Sequence, residues 1–597
     1  MRSIAAFICV LVTAFYASAA DYYGVLVNGT TYFAADYKGK DGNTGEYDEY
    51  RAHVTFQAGD VFQLYNPVAK EAWAVPLDKY TVSGFTYDGS KNRYTASVTG
   101  CYDCYIKLKY GADQLYIGEG ANCGTGESKD DIYIGSVPRQ CGAVIMQAFY
   151  NESYRADAPG VSEFGDTKWT TLLPQAAEIG KFIDYVWLPP SALGDGMGYH
   201  PKQYSNQNSN WGTRAELEAL ISALHKAGAK VIADIVINHC TGWTSWCDFP
   251  EMDFGEFGTF YPDASYIART DEVNLNPDAG DCYGKATGPD DDGWGDWYGN
   301  WDGARDWAHD APKVQEMFKA YLRWMRKIMK YDGFRYDKGD GFNNWHHDNY
   351  NKASRPEIAF MESYSNTAKI TKQIDQANKN LMALDFDTKW HAFDGIAGFK
   401  YSGCKGSGLL GAGYAPYAVT FIDSHDWFLR PDNENEFGGR GKSMTPELKD
   451  RLLQANAFML GMPGVPCIFY PHWQKYKDAL KPMIEARKLA GIHSESKVSN
   501  EQAEDGGYQC TIQGKYGWLV LQLGNKTTHS GWGDADYKLI AKGPGYAMWV
   551  NRTAPMPTDL NQPENHQSPI TNHKYLLDGR LIIEVNGQRY DILGRPL

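Results

Sequence analysis

Four apolar stretches of this chain end in residues that can do chemistry. One reads Val231-Ile232-Ala233-Asp234-Ile235-Val236-Ile237-Asn238-His239, and a second reads Gly333-Phe334-Arg335-Tyr336-Asp337. A third is Ile358-Ala359-Phe360-Met361-Glu362, and the fourth is Val419-Thr420-Phe421-Ile422-Asp423-Ser424-His425-Asp426. Asp337, Glu362 and Asp426, with Arg335, His239 and His425, suit substitution at an acetal carbon. One carboxylate attacks, and one carboxylic acid about 5–5.5 Å away protonates the departing oxygen. A third carboxylate holds hydroxyls and favours a cationic transition state. An arginine beside the attacking carboxylate keeps it ionised, and histidines donate hydrogen bonds to hydroxyls. Taken singly, each residue reads equally well as a salt bridge at a strand end. Four such ends in one chain favour a site.

That chemistry needs an element pattern that brings the ends together. From Cys141 the chain alternates strands with helices for some 340 residues. The strands read as Ala143–Tyr150, Tyr185–Leu188, Val231–Ile237, Gly333–Asp337, Ile358–Met361, Leu381–Phe386, Val419–Ile422 and Cys467–Tyr470. Helical stretches such as Arg214–Lys226, Ala311–Lys330 and Thr445–Leu460 intervene. Eight strand–helix repeats predict an α/β fold, a (β/α)8 TIM barrel, whose active sites lie at the C-terminal strand ends. One large excursion, residues 239–310, is inserted after strand three, within a barrel domain spanning 140–489.

Short alternating runs between Gly, Asn and Asp turns predict an N-terminal β-sandwich-like domain over 21–139. Trp73, Tyr80, Tyr87, Tyr94 and Tyr110 are its candidate sugar-stacking residues, with core packing an equal reading for each. Residues 490–553 read as a C-terminal antiparallel β domain, 554–573 as a Pro/Asn/Gln-rich linker, and 574–597 as a hairpin-like tail. Residues 1–20 carry Arg2, an apolar run and Ala17-Ser18-Ala19, the pattern of a signal peptide. An exported protein, secreted or at the cell surface, follows as the expectation. The net charge of −15 argues against nucleic acid or an anionic membrane as partner. Ten cysteines remain after the leader, and Cys240 with Cys247 or Cys282 is the expected pairing across a loop. Cys101 and Cys104 have CxxC spacing without a second such pair, which disfavours zinc.

The four signature segments resemble those of glycoside hydrolase family 13, and most nearly the plant-type α-amylases, here in a secreted bacterial multidomain form. The resemblance includes Met146-Gln147-Ala148-Phe149-Tyr150-Asn151-Glu152-Ser153, Val186-Trp187-Leu188-Pro189-Pro190 and Pro463-Gly464-Val465-Pro466-Cys467-Ile468-Phe469-Tyr470. It continues through Gly491-Ile492-His493-Ser494-Glu495-Ser496-Lys497 and closes at Gly545-Tyr546-Ala547-Met548-Trp549, so it covers about 141–551. It implies endo-acting hydrolysis of α-1,4-glucosidic bonds in starch-type glucans with retention. It implies Asp337 as nucleophile, Glu362 as acid/base and Asp426 as transition-state stabiliser, with Arg335, His239, His425 and Tyr199 at the attacked sugar. It also implies a structural Ca2+ held by Asn238, Asp296 and Asp306 and by the carbonyls of Gly299 and Gly341, oxygen donors that suit this hard ion.

Two positions depart from the family pattern. Asp340 stands where a lysine is common, which keeps a glucan-transferring enzyme as the alternative reading. Ser363-Tyr364 follows Glu362 where plant-type enzymes often have tryptophan. A non-catalytic starch-binding barrel is the third reading, disfavoured by the three intact carboxylates. The expected partner is an α-glucan, and the expected state is a monomer. Gly406-Ser407-Gly408-Leu409-Leu410-Gly411 fits GxGxxG, but no strand leads into it. His346-His347 is expected in a polar loop near the cleft. The tail, with Leu577-Asp578-Gly579-Arg580 and Tyr590-Asp591-Ile592-Leu593-Gly594, resembles a bacterial type IX secretion sorting signal.

Overall fold

A computed structural model describes residues 23–597 apart from 41–46, 68–69, 110–112, 122, 125, 130–131, 290–302, 427–445, 529–535, 553–571, 578–579, 586–587 and 591–597. Eight parallel strands close into a barrel: Ile145–Gln147, Tyr185–Leu188, Lys230–Ile235, Gly333–Tyr336, Ile358–Met361, Met382–Leu384, Ala418–Phe421 and Val465–Phe469. Each lies near its expected range, and closure pairs the first strand with the last through Met146 and Ile468. The first and sixth strands are shorter than expected for local reasons. Tyr150 turns the chain through its N–H bond to the Ser153 hydroxyl at 3.1 Å. Asp385 ends the sixth strand by accepting from the Thr388 N–H at 3.1 Å, which starts a short helix.

Helices cover the barrel with apolar faces. Arg214–Lys226 opens on a capping box: the Thr213 hydroxyl accepts from the Glu216 N–H, and the Glu216 carboxylate accepts from the Thr213 N–H. Leu217, Leu220, Ile221 and Leu224 then recur at helical spacing and are buried. A five-stranded antiparallel sheet, Lys497–Glu504 to Tyr546–Arg552, shares one continuous core with the barrel. At that junction Gly461 leaves room for Leu521 and Met548, 3.3–3.6 Å from where a Cβ would stand.

The N-terminal residues form a ten-stranded antiparallel sheet with its own core, including Val54, Phe56, Phe62, Tyr94, Ile106 and Ile117. Its connection to the barrel is tied down by the Glu127–Arg355 ion pair at 2.5 Å and by Ser136, whose hydroxyl donates to the Asn380 carbonyl at 2.6 Å. Segments Asn572–Leu577, Arg580–Val585 and Gln588–Tyr590 pair as three antiparallel strands, one more than a hairpin. Residues 1–20 lie outside the described residues, as does nearly all of 554–573. Among the described residues no helix is long and apolar enough to cross a membrane.

Several expectations change. Cys240 is not paired: its buried thiol donates to the Pro201 carbonyl at 3.2 Å. Cys247 bonds Cys282 instead, closing the excursion on itself, and Cys101 bonds Cys123 while Cys104 is a buried thiol. Tyr94 is fully buried, stacked on Phe62 at 4.9 Å. Trp73 packs against the same core, whereas Tyr80 and Tyr87 are exposed and Tyr110 lies outside the described residues. His346 and His347 are buried in the helix Trp345–Ser354, not in a polar loop. His346 pairs with Asp310 at 2.8 Å, and His347 stacks on Phe342, its ring held neutral by burial, which pushes it down to about 3. The GxGxxG segment follows a short helical turn; Gly408 is at φ +60, and Leu409 N–H donates to Asp385.

Candidate active site

Arg335 organises the rim. It sits on the fourth strand with both neighbours buried and is itself fully buried. Its Nη1 donates to Asp234 and to Asp337, each at 2.8 Å, and its Nη2 lies 2.9 Å from Glu362. Asp234 stands beside Arg335 in register within strand three, and Asp337 and Glu362 directly follow strands four and five, so parallel register delivers them to one arginine. The guanidinium also lies over the rings of Trp187 and Tyr199, at 5.1 and 5.8 Å. Burial alone would lower the guanidinium, but the carboxyl groups around it raise it well above its ordinary value.

Asp234 is the residue that reading strand ends overlooks, because it lies inside the third strand rather than at its tip. It accepts from Tyr199 Oη at 2.7 Å and from Trp187 Nε1 at 3.1 Å, besides Arg335. Its role is to hold Arg335 and Tyr199 in place. The clue was available: a lone acid in an apolar run must be paired if buried. Gln147 is a second omission, with its Nε2 2.7 Å from His425 Nδ1.

The remaining residues of the expected set also converge. Tyr199 and His425 stack at 5.0 Å with their rings 7° from parallel. His425 Nε2 lies 3.5 Å from Asp426. His239 reaches the Tyr199 carbonyl through Nε2 at 2.8 Å, and burial pushes its ring down to about 4, so it is neutral near pH 7. His200 lies beside it, ring centres 6.5 Å apart. Burial raises the Glu362 carboxyl well above the ordinary range; Arg335 opposes this, while Asp426 and Asp337 reinforce it. The backbone after Asp337 folds back over that acid: Lys338 N–H donates to Glu362 Oε2 at 3.3 Å and Gly339 N–H to the Glu362 carbonyl at 2.8 Å. Asp340 faces away from this contact, paired with Lys369 Nζ at 3.2 Å and the Ser363 hydroxyl at 3.3 Å.

Of the five expected metal ligands, three meet. Asn238 Nδ2 donates to Asp306 Oδ1 at 3.0 Å, and Gly341 lies so near that a Cβ on it would fall 1.8 Å from Asn238 Oδ1. Asp296 and Gly299 lie outside the described residues. Among the described residues no group of three or more His, Cys, Asp and Glu side chains could hold a metal. The donors at hand, an amide oxygen, a carboxylate and a glycine backbone, are all oxygens and fit a hard cation. Asp306 is delivered by the short strand Arg305–Asp306, which pairs with His239–Cys240. Asp271 fixes that strand, accepting from Arg305 Nη1 at 2.6 Å and from the Asp306 N–H at 2.7 Å.

A carboxyl raised by burial, a second carboxylate bonded to the same arginine and aromatic rings around both make a closed barrel of this kind a glycoside-cleaving enzyme. Comparison with known proteins agrees. The family model described as the α-amylase catalytic domain matches residues 173–387. A probable α-amylase 2 of Arabidopsis thaliana is 26% identical over 449 residues, which is 71% of this chain and 97% of that protein. The α-amylase type B isozyme of Hordeum vulgare is 31% identical over 134 residues, 22% of this chain and 78% of that protein. A glucan 1,4-α-maltotetraohydrolase of Stutzerimonas stutzeri is 28% identical over 370 residues, 58% of this chain and 60% of that protein. The chain belongs to the α-amylase family of glycoside hydrolases.

Proposed function

We propose that this enzyme cleaves internal α-1,4-glucosidic bonds of starch- or glycogen-type glucans by double displacement. The observation that carries the reading is the Arg335 fork, which touches Asp337 and Glu362 from opposite nitrogens. Asp337 is the nucleophile: its carboxylate attacks the anomeric carbon while the bond to the leaving oxygen breaks, giving a glycosyl ester. Glu362 protonates that oxygen, then takes a proton from the water that hydrolyses the ester. Asp426 steadies the cationic character between these states and binds hydroxyls of the attacked sugar. His425 donates a hydrogen bond to the same sugar through Nε2. Neutral His239 lines that subsite with its one N–H holding the Tyr199 carbonyl, and Tyr199 stacks on the sugar.

Calcium is part of this proposal. Asn238, Asp306 and Gly341, with Asp296 and Gly299, would hold it where the excursion meets the barrel. When bound it supplies a crosslink beside His239, not a reacting group. Export is proposed from the apolar leader at 1–20, and two disulfides suit an oxidising compartment. The transfer reading rests on Asp340 alone, which spends its charge on Lys369. Incubation with soluble starch tests the whole scheme: internal cleavage with one new reducing end per bond broken is the expected outcome. New longer glucans without matching reducing ends would replace hydrolysis by transfer.

A further inference from the structure

The N-terminal sheet carries a built face that the aromatic candidates read from sequence do not include. Strands Asp48–Phe56, Gly100–Leu108 and Gln114–Glu119 lie side by side and bury one face: Tyr50, Ala52, Val54, Phe56, Cys104, Ile106, Leu115 and Ile117. Alternation therefore sends Arg51, Tyr105 and Tyr116 to the other face. Register places these three in one row, Arg51 opposite Tyr105 and Tyr105 opposite Tyr116. The two tyrosine rings are 5.3 Å apart and 37° from parallel, with the guanidinium 5.9 Å from the Tyr105 ring. With strands about 4.8 Å apart, the row is about 10 Å across.

Adjacent rows supply hydrogen-bonding groups. His53 lies opposite Asp103, with Nδ1 and Oδ1 2.5 Å apart. Gly118 completes that row, and its missing side chain lets the Tyr116 ring lie over it: a Cβ there would stand 3.0 Å from the Tyr116 hydroxyl. On the other side Glu49 faces Lys107, 3.9 Å apart, and Lys107 faces Gln114, whose amide donates to Tyr47 at 3.3 Å. One end is walled by the backbone near Gly124, which accepts from Thr55 at 3.0 Å and is pinned by the Cys101–Cys123 bond.

We propose that this outer face, with Arg51, Tyr105 and Tyr116 as its floor, binds a stretch of neutral α-glucan. Flat rings with polar edges flanked by a few hydrogen-bonding groups match the alternating apolar faces and hydroxyls of a sugar chain. The charges of the face pair off, Arg51 with Asp103 and Lys107 with Glu49, so it offers no net field to an anionic polymer. The plant relative is matched over 97% of its length by 71% of this chain, so more than a quarter of this chain is additional to it. A binding face tethered to the barrel raises the local concentration of glucan at the rim. This identification of the ligand rests on the α-glucan reading of the barrel.

The test uses the full chain as wild type, Tyr105→Ala/Tyr116→Ala and Arg51→Gln. Depletion onto granular starch reads binding, and cleavage of soluble maltoheptaose reads the barrel. The double variant is expected to bind granules at least tenfold more weakly and to digest them correspondingly slowly. Its kcat/KM on maltoheptaose and its main thermal transition should match wild type. Arg51→Gln keeps both rings and should lose about threefold in granule binding, which decides the matter if the double variant unfolds the sheet. Granule binding unchanged in folded variants, or absent from wild type, overturns the proposal; so does stronger wild-type retention on heparin than on starch. A wild type that binds granules but leaves maltoheptaose intact overturns the hydrolytic reading and leaves the binding face standing.

Discussion

The barrel rim and the outer face of the N-terminal sheet both gather aromatic rings, carboxylates and an arginine, yet they use them in opposite ways. At the rim Arg335 is fully buried and holds three carboxylates within 2.9 Å. On the sheet, Arg51 retains a third of its side-chain exposure and lies 4.0 Å from Asp103. Burial is the difference that matters. In a low-dielectric setting an arginine can keep one carboxylate ionised while a neighbour stays protonated, the division of labour that bond cleavage needs. A half-exposed row cannot shift protons in that way. It can offer surface and hydrogen bonds, which suffices for holding a chain.

The comparison breaks most sharply at Asp337. Asp337→Asn should lower kcat on starch by on the order of 10⁴-fold, because an amide cannot form the ester. Granule binding should be unchanged, and near-native turnover by a folded variant would end the assignment. Glu362→Gln should lose about 10²–10⁴-fold on starch and far less on glucosides with a good leaving group. Its pH behaviour is the finer check. The acid acts only while protonated, so wild-type activity should fall as pH rises through its raised pKa, and the variant on activated substrate should lack that alkaline limb. The folded carboxyl keeps a proton that the unfolded chain has already released, so its stability contribution declines as pH rises across that window. Urea melts at several pH values should show a smaller decline in Glu362→Gln.

Asp234→Asn should cost about 3 kcal/mol of stability, since it leaves buried Arg335 short of one counter-charge; denaturant titration reads it. It should also raise KM through the loss of Tyr199 positioning. Calcium removal is a comparable but different lever. A ligand at 100 times its Kd contributes about 2.7 kcal/mol, so chelator should lower the melting transition and activity together, and Asp306→Ala should mimic it. Magnesium should restore little, because it prefers a smaller octahedral shell. A transition indifferent to chelator and to Asp306→Ala would leave the excursion held by packing and the Cys247–Cys282 bond. Smallest is the effect of the N-terminal tyrosines, tenfold on granules and none on soluble substrate.

How much of this was legible in the residues differs between the two regions. At the rim, charged residues closing apolar runs are unusual enough to be noticed, and parallel strands bring such ends together without further information. Asp234 escaped because it sits within its strand, and Gln147 because an uncharged amide closing a strand is inconspicuous; only their partners give them meaning. On the sheet, Tyr94 looked as good a platform residue as any, yet it stacks on Phe62 in the core. Tyr105 and Tyr116 went unnoticed because eleven residues separate them in the chain and only antiparallel register sets them opposite each other.

Local pattern therefore determined the elements of the barrel, the order of its strands and the residues at their tips. Those features depend on neighbours in sequence: alternation, helical spacing, turn residues and caps. Tertiary structure alone decided which charge pairs with which. It bonded Cys247 to Cys282 rather than to Cys240, set Asp340 against Lys369 and buried His347 against Phe342. It also chose the face of the N-terminal sheet that meets solvent. Partners that lie far apart in the chain depend on where the backbone carries them. A pKa or a stacking surface depends on what then surrounds the group, and neither is written in the spacing of residues along one strand.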